Sequence, residues 1–335
     1  MLTMKSLFRM YTFEESRLIK EIKAKNPKRL LLQLPEGLKK EGLRIASLIT
    51  KETSSEVILS GEPLWGACDV AIAEAKTLGC DLIVIYGHAP FMQVDFPVLY
   101  LEARYEKDIT KLIKKAYEQL KNYKSISLAT SVQHIHQIPI VKEFLESKGI
   151  KVLVPEAKGH AFYDGQVLGC EYNAFKNLKS EAIFIIANKF HALGAAMSMN
   201  KPVILLDPFN EEITNMEVEK NKIIKQRAAA IDKARQAKKI GIIIGTKVGQ
   251  KFGSFDAVKE KLKKLKKEYV MIAMSEITND KLINLYDIEA FVELACPRIA
   301  IDAASLFDKP LLTAREFSVL CGDIEWNDLL EKGFI

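Results

Sequence analysis

The residues of this chain best able to do chemistry are its five cysteines, at positions 68, 80, 170, 296 and 321, and no two of them stand at CxxC spacing. An odd count without close pairs argues against a secreted disulfide framework and against a zinc ribbon. Three readings stay open: inert buried thiols, a catalytic nucleophile, or metal ligands that the fold brings together. Three thiolates on a cubane [4Fe–4S] cluster would leave one iron without a protein ligand. That iron could act as a Lewis acid, or hold a substrate while the cluster supplies an electron. Zinc with three cysteines and a water is the chemical competitor, and spacing alone does not separate the two.

The elements that must position these thiols come from a weak internal triplication. Each third of the chain offers four short apolar runs separated by helix-like stretches. In the first third these are 30–34, 57–60, 82–86 and 98–101; in the second, 125–129, 151–154, 183–187 and 203–206; in the third, 240–244, 269–273, 290–294 and 311–313. Pro97, Pro202 and Pro310 each precede a fourth run. Continuous apolar runs alternating with helical segments predict parallel strands buried on both faces. Segments 37–50, 138–148 and 255–267 suit crossover helices, the second capped by Gly149.

The expected fold is therefore α/β, with three related small domains, each a parallel four-stranded sheet with flanking helices. The domains are expected at 1–103, 104–208 and 209–335, carrying Cys68, Cys170 and Cys296 respectively. Cys68 and Cys170 fall in the loop after a second strand and Cys296 after a third strand. All three then lie beyond the C-terminal ends of strands, where open α/β sheets build their sites. Pseudo-threefold symmetry would turn all three loops to a central point. Cys80 leads directly into a strand and Cys321 lies in the tail, so neither joins them.

The 335 residues are 48% hydrophobic and 27% charged, within the range of soluble globular proteins. The apolar runs are strand-sized and too short to span a bilayer. Residues 1–11 have no apolar signal core, which leads to an expected cytoplasmic location without membrane association. The net charge is +6, and the lysine run 261–267 looks at first like a nucleic-acid patch. Its apolar spacing suits an amphipathic helix with a solvated lysine face, and no aromatic residues are interleaved for stacking on bases. Direct nucleic-acid binding is not expected, while attraction to an acidic or ribonucleoprotein-associated partner stays open.

Trp65-Gly-Ala-Cys-Asp-Val70, Gly165-Gln-Val-Leu-Gly-Cys170 and the segment 293–302, which begins Glu-Leu-Ala-Cys-Pro-Arg, resemble those of the archaeal diphthamide synthase family. Segments 33–38, 130–134 and 309–313 extend the resemblance, which runs from about residue 13 to the end. The family's first-step enzyme is 2-(3-amino-3-carboxypropyl)histidine synthase. The resemblance implies a homodimer with three α/β domains around a central [4Fe–4S] cluster in each subunit, held by Cys68, Cys170 and Cys296. It implies that S-adenosylmethionine binds at the open iron and that the reduced cluster cleaves its bond from sulfur to the γ-carbon. The resulting 3-amino-3-carboxypropyl radical adds to the imidazole C2 of a histidine on translation elongation factor 2. An electron donor is required, and no catalytic side chain beyond the cluster is implied. The radical-SAM motif CxxxCxxC is absent. One departure from the pattern, Thr313-Ala314 where relatives have Thr-Pro, does not touch the cysteines.

Other residues have two readings each. Arg298 could pair with the carboxylate of S-adenosylmethionine or with Asp302. Gln33 and Glu36 could contact its amino acid or ribose groups, although Glu36 equally suits the first turn of a helix. His88, His134 and His191 follow strands and read more simply as hydrogen-bonded histidines than as acid–base groups. Trp65 and Tyr163 could stack on adenine or pack their loops. Segment 245–249, Gly-Thr-Lys-Val-Gly, lacks P-loop spacing and is discounted as a phosphate loop. Two other functions remain as alternatives: a quinolinate synthase-like dehydratase using the open iron as Lewis acid, and a non-catalytic α/β binding protein.

Overall fold

The computed structural model describes residues 10–335. Most of the segment examined for a signal core therefore lies outside the described residues.

Three sheets follow one another along the chain. The first holds β2 (Arg29–Gln33), β3 (Glu56–Leu59), β4 (Leu82–Tyr86) and β5 (Val98–Leu101), all parallel, in the order β3-β2-β4-β5. The second holds β7 (Ser125–Thr130), β8 (Lys151–Leu153), β9 (Ala182–Ile186) and β10 (Val203–Asp207) in the order β8-β7-β9-β10. The third holds β12 (Lys239–Gly245), β13 (Glu268–Met274), β14 (Ala290–Glu293) and β15 (Leu311–Thr313) in the order β13-β12-β14-β15. The same order thus occurs three times, and each of the twelve apolar runs read from the sequence is a strand. Two additions escape that reading. A small antiparallel pair joins β1 (Tyr11–Thr12) to β6 (Arg104–Tyr105). A fifth strand, β11 (Glu212–Asn215), turns back antiparallel on β10. It carries the second sheet past residue 208, where the sequence suggested a boundary.

The inner strands are apolar on both faces because helices cover both, and every residue of β4, β9 and β10 is buried. Edge strand β13 is half solvated. Helices Gly42–Glu52, Ile138–Ser147 and Phe255–Lys264 make the first crossovers. Gly149 takes the left-handed conformation expected of a C-cap, with φ +84°. The lysine-rich helix buries Val258 and Leu262 and turns its lysines outward.

The 20-residue helix Glu217–Gln236 lies between the second and third sheets. Its Ile223, Ile231 and Ala234 belong to one core that also contains Ile183, Ile185, Val203 and Leu205 on one side and Ile240, Ile242, Val292 and Phe317 on the other. Arg227 of this helix is buried against Glu316 with two hydrogen bonds of 2.6 Å, and donates further to the carbonyls of Ala300 and Leu311. Ala300 belongs to the short helix after Cys296, so this ion pair fixes one side of the cysteine site.

Candidate metal centre

Each cysteine is presented by a loop that other parts of the chain hold down. The Cys68 loop is braced from beneath by Gln33 at the end of β2. The Gln33 side chain accepts from the Ala71 amide at 3.0 Å and donates to the Asp69 carbonyl at 3.3 Å. From the third sheet, Lys247 Nζ donates to Asp69 Oδ2 at 2.6 Å and pairs with Glu276. The exposed Trp65 indole donates to the same Glu276 carboxylate at 3.2 Å. The Gly249 amide donates to the Cys68 carbonyl at 2.9 Å, and Gln250 Nε2 lies 3.7 Å from Cys68 Sγ.

The Cys170 loop is stitched to the end of β7: the Thr130 amide donates to the Gly165 carbonyl at 2.7 Å and the Val167 amide to the Thr130 carbonyl at 2.9 Å. Gly169 sits at φ +85°, and a Cβ there would be 2.2 Å from the Phe190 ring. Only glycine fits. Cys296 is the N-cap of helix Pro297–Asp302, with proline at the first helical position. Glu293 at the end of β14 accepts from the amides of Ala295 at 2.9 Å and Cys296 at 3.0 Å.

Arg298 joins the last two loops. Its guanidinium donates to the Gly169 carbonyl, pairs with Asp302 at 2.7 Å and lies 3.8 Å over the Phe190 ring. Of its two readings, the pair with Asp302 is therefore present, and the buried Nε has no hydrogen-bond partner. Gln33 is fully engaged with the Cys68 loop. Glu36, 62% exposed, pairs with Lys39 at 2.6 Å in the first turn of a 3-10 helix.

The three thiols influence one another electrostatically. Burial pushes all three upward. Cys170 is raised further by Cys296 and Cys68. Cys296 is pushed up to about 12, chiefly by burial, with Glu293 and Cys68 adding to it. Such thiols do not ionise unaided; a bound metal's positive charge reverses the balance. Among the described residues no three His, Cys, Asp or Glu side chains are grouped tightly enough for one metal ion. Thiols that influence each other across a wider gap suit a multi-iron cluster, in which each thiolate binds a different iron. Cys80 packs in the first sheet's core with Leu31, Ile83 and Ile85, and Cys321 packs against the core around the long helix.

The three histidines are held as neutral groups. His134 bonds Gln137 at 3.0 Å and is pushed down to about 4 by burial. His191 bonds Asn188 at 2.7 Å and is pushed down to about 3 by burial, then by Arg298, His88 and His134. His88 is also lowered by burial and contacts the Tyr86 carbonyl at 3.1 Å. Tyr163 donates to Glu102 at 2.5 Å. Sequence reasoning missed Asp69, Lys247, Gly249, Gln250 and Glu293. All five lie in or beside motifs it had quoted, but pairing 68–69 with 247–250 requires contact between separate sheets.

Fold and site together define an α/β protein of three like-ordered, mostly parallel sheets with three partly buried thiols in their loops. The family model of the diphthamide synthesis proteins matches residues 34–330, and the chain belongs to that family. It is 34% identical over 327 residues to the 2-(3-amino-3-carboxypropyl)histidine synthase of Pyrococcus horikoshii, covering 96% of this chain and 94% of that one. Subunit 1 of the Kluyveromyces lactis synthase is 32% identical, covering 92% of this chain and 75% of that subunit. The crystal structure of Dph2 from Pyrococcus horikoshii with a 4Fe–4S cluster superposes with a TM-score of 0.87 at 33% identity, covering 97% and 95% of the two chains. These relatives support a transferase over a quinolinate synthase-like dehydratase or a binding protein. Among the described residues no helix is long and apolar enough to cross a membrane.

Proposed function

We propose that this chain is a 2-(3-amino-3-carboxypropyl)histidine synthase. It transfers the 3-amino-3-carboxypropyl group of S-adenosylmethionine to the imidazole C2 of a histidine on translation elongation factor 2, the first step of diphthamide biosynthesis. The observation that carries this reading is three partly buried thiols that influence one another electrostatically, in a chain similar to such synthases over nearly its whole length. Cys68, Cys170 and Cys296 would hold a [4Fe–4S] cluster, which would supply the electron and a Lewis-acidic iron for carbon–sulfur cleavage.

The chain's own residues hold the loops. Gln33 and the Lys247–Asp69 pair fix the Cys68 loop, while Arg298 and Phe190 fix the Cys170 loop against Cys296. Of the residues proposed to contact S-adenosylmethionine, Arg298 has the best support, since its buried Nε has no partner. Gln33 and Glu36 stay in that role with less geometry behind them. We retain three domains in pseudo-threefold array, with the second extended to Asn215 to keep β11 with its sheet. A homodimer in the cytoplasm, served by a separate electron donor, completes the reading.

Anaerobically purified protein should contain about four irons and four sulfides per chain. Reduced protein incubated with carboxyl-labelled S-adenosylmethionine and elongation factor 2 should label the factor. An intact reduced cluster that transfers no label would refute the assignment. Light scattering on the same sample reads the dimer.

A further inference from the structure

Segment 245–249 lacks phosphate-loop spacing, yet the loop it opens after β12, residues 246–250, touches Cys68 by three routes. The Gly249 amide donates to the Cys68 carbonyl at 2.9 Å. A Cβ on Gly249 would lie 2.7 Å from Cys68 Cα and 2.8 Å from its Cβ and carbonyl oxygen, so only glycine permits this approach. The side-chain amide of Gln250, a residue only 7% exposed, points its Nε2 at Cys68 Sγ from 3.7 Å. Lys247 holds Asp69, the next residue, from the same loop.

We infer that Gln250 is a positioning residue for the cluster, donating a hydrogen bond to the Cys68 sulfur and raising the cluster's reduction potential, with Gly249 allowing the contact. The inference rests on the proposed cluster ligation by Cys68. The physical cause is charge. Reduction adds an electron that is shared with the thiolate sulfurs, and an N–H dipole aimed at sulfur stabilises the reduced form more than the oxidised one. Hydrogen bonds to cluster sulfurs are among the factors that set such potentials.

The test compares wild-type protein with Gln250→Leu, which keeps the bulk and removes the donor. Iron content, EPR-monitored redox titration and the melting temperature of the cluster-free protein are measured for both. A Gln250→Leu variant that keeps its iron should titrate at a more negative midpoint than wild type; an unchanged or more positive midpoint overturns the inference. If the variant loses iron while its cluster-free form melts as wild type does, the positioning role stands. Iron loss with a lowered cluster-free melting temperature overturns it, because Gln250 would then act on folding. Gly249→Ala should lose iron through displacement of Cys68, and full loading at the wild-type potential would also overturn it. Wild-type protein without iron would instead sink the ligation reading itself.

Discussion

A carboxyl group at the end of β14 keeps its proton at neutral pH. Burial holds Glu293 at about 8 against an ordinary 4.5, although the Ala295 and Cys296 amides pull the other way. Between those values the folded state binds more protons than the unfolded chain, so stability falls as pH rises from about 4.5 and levels off above about 8. In Glu293→Gln this alkaline decline should flatten in the cluster-free protein, read by urea unfolding at several pH values. His134 acts on the acid side. Its value near 4 lies below the ordinary 6.5, so stability is lost as pH falls from about 6.5 towards 4. The loss should approach about 3 kcal/mol at most and should shrink in His134→Gln. The thiols give a third residue-scale test. Cys68→Ala, Cys170→Ala and Cys296→Ala should each lose most bound iron, while Cys80→Ala should retain it; iron loss from Cys80→Ala alone would mean the ligand set is wrong.

At the scale of elements, the buried pair Arg227–Glu316 pins the long helix to β15 and to the helix after Cys296. Arg227→Met leaves Glu316 buried without its cation and should cost about 3–5 kcal/mol in urea unfolding. Arg227→Met with Glu316→Leu should recover most of that loss, since an apolar pair leaves no stranded charge. The strands were legible in the sequence because parallel strands buried on both faces read as unbroken apolar runs, as Leu82–Tyr86 and Ala182–Ile186 do. β11 was not legible: Glu212–Asn215 has exposed polar ends and only half-buried residues between them, and follows its partner through a tight turn with Glu211 at φ +58°. The cysteines could be selected by strand counting. The partners that hold them could not, because Asp69 with Lys247 and Gly169 with Arg298 pair across separate sheets, and sequence pattern carries no information about such docking.

At the scale of the whole molecule, a cluster tied to loops from three sheets binds the folded state and not the unfolded chain, so it should stabilise the protein by linkage. Cluster-bound protein should melt at higher temperature than the chelated form, and limited proteolysis within 155–172 should be slower when iron is present. The threefold repetition of strand order also has a consequence for symmetry. A strict repeat would place a proposed ligand in the same loop each time. Cys68 and Cys170 fit that rule, following the second strand of their sheets, whereas Cys296 follows the third. After the matching third strands of the other two sheets stand His88, in a loop, and His191, in the first turn of helix Lys189–Ser198. Under the proposed ligation the third thiol therefore stands outside the repeat, and the symmetry of the scaffold does not by itself dictate the symmetry of the centre it surrounds.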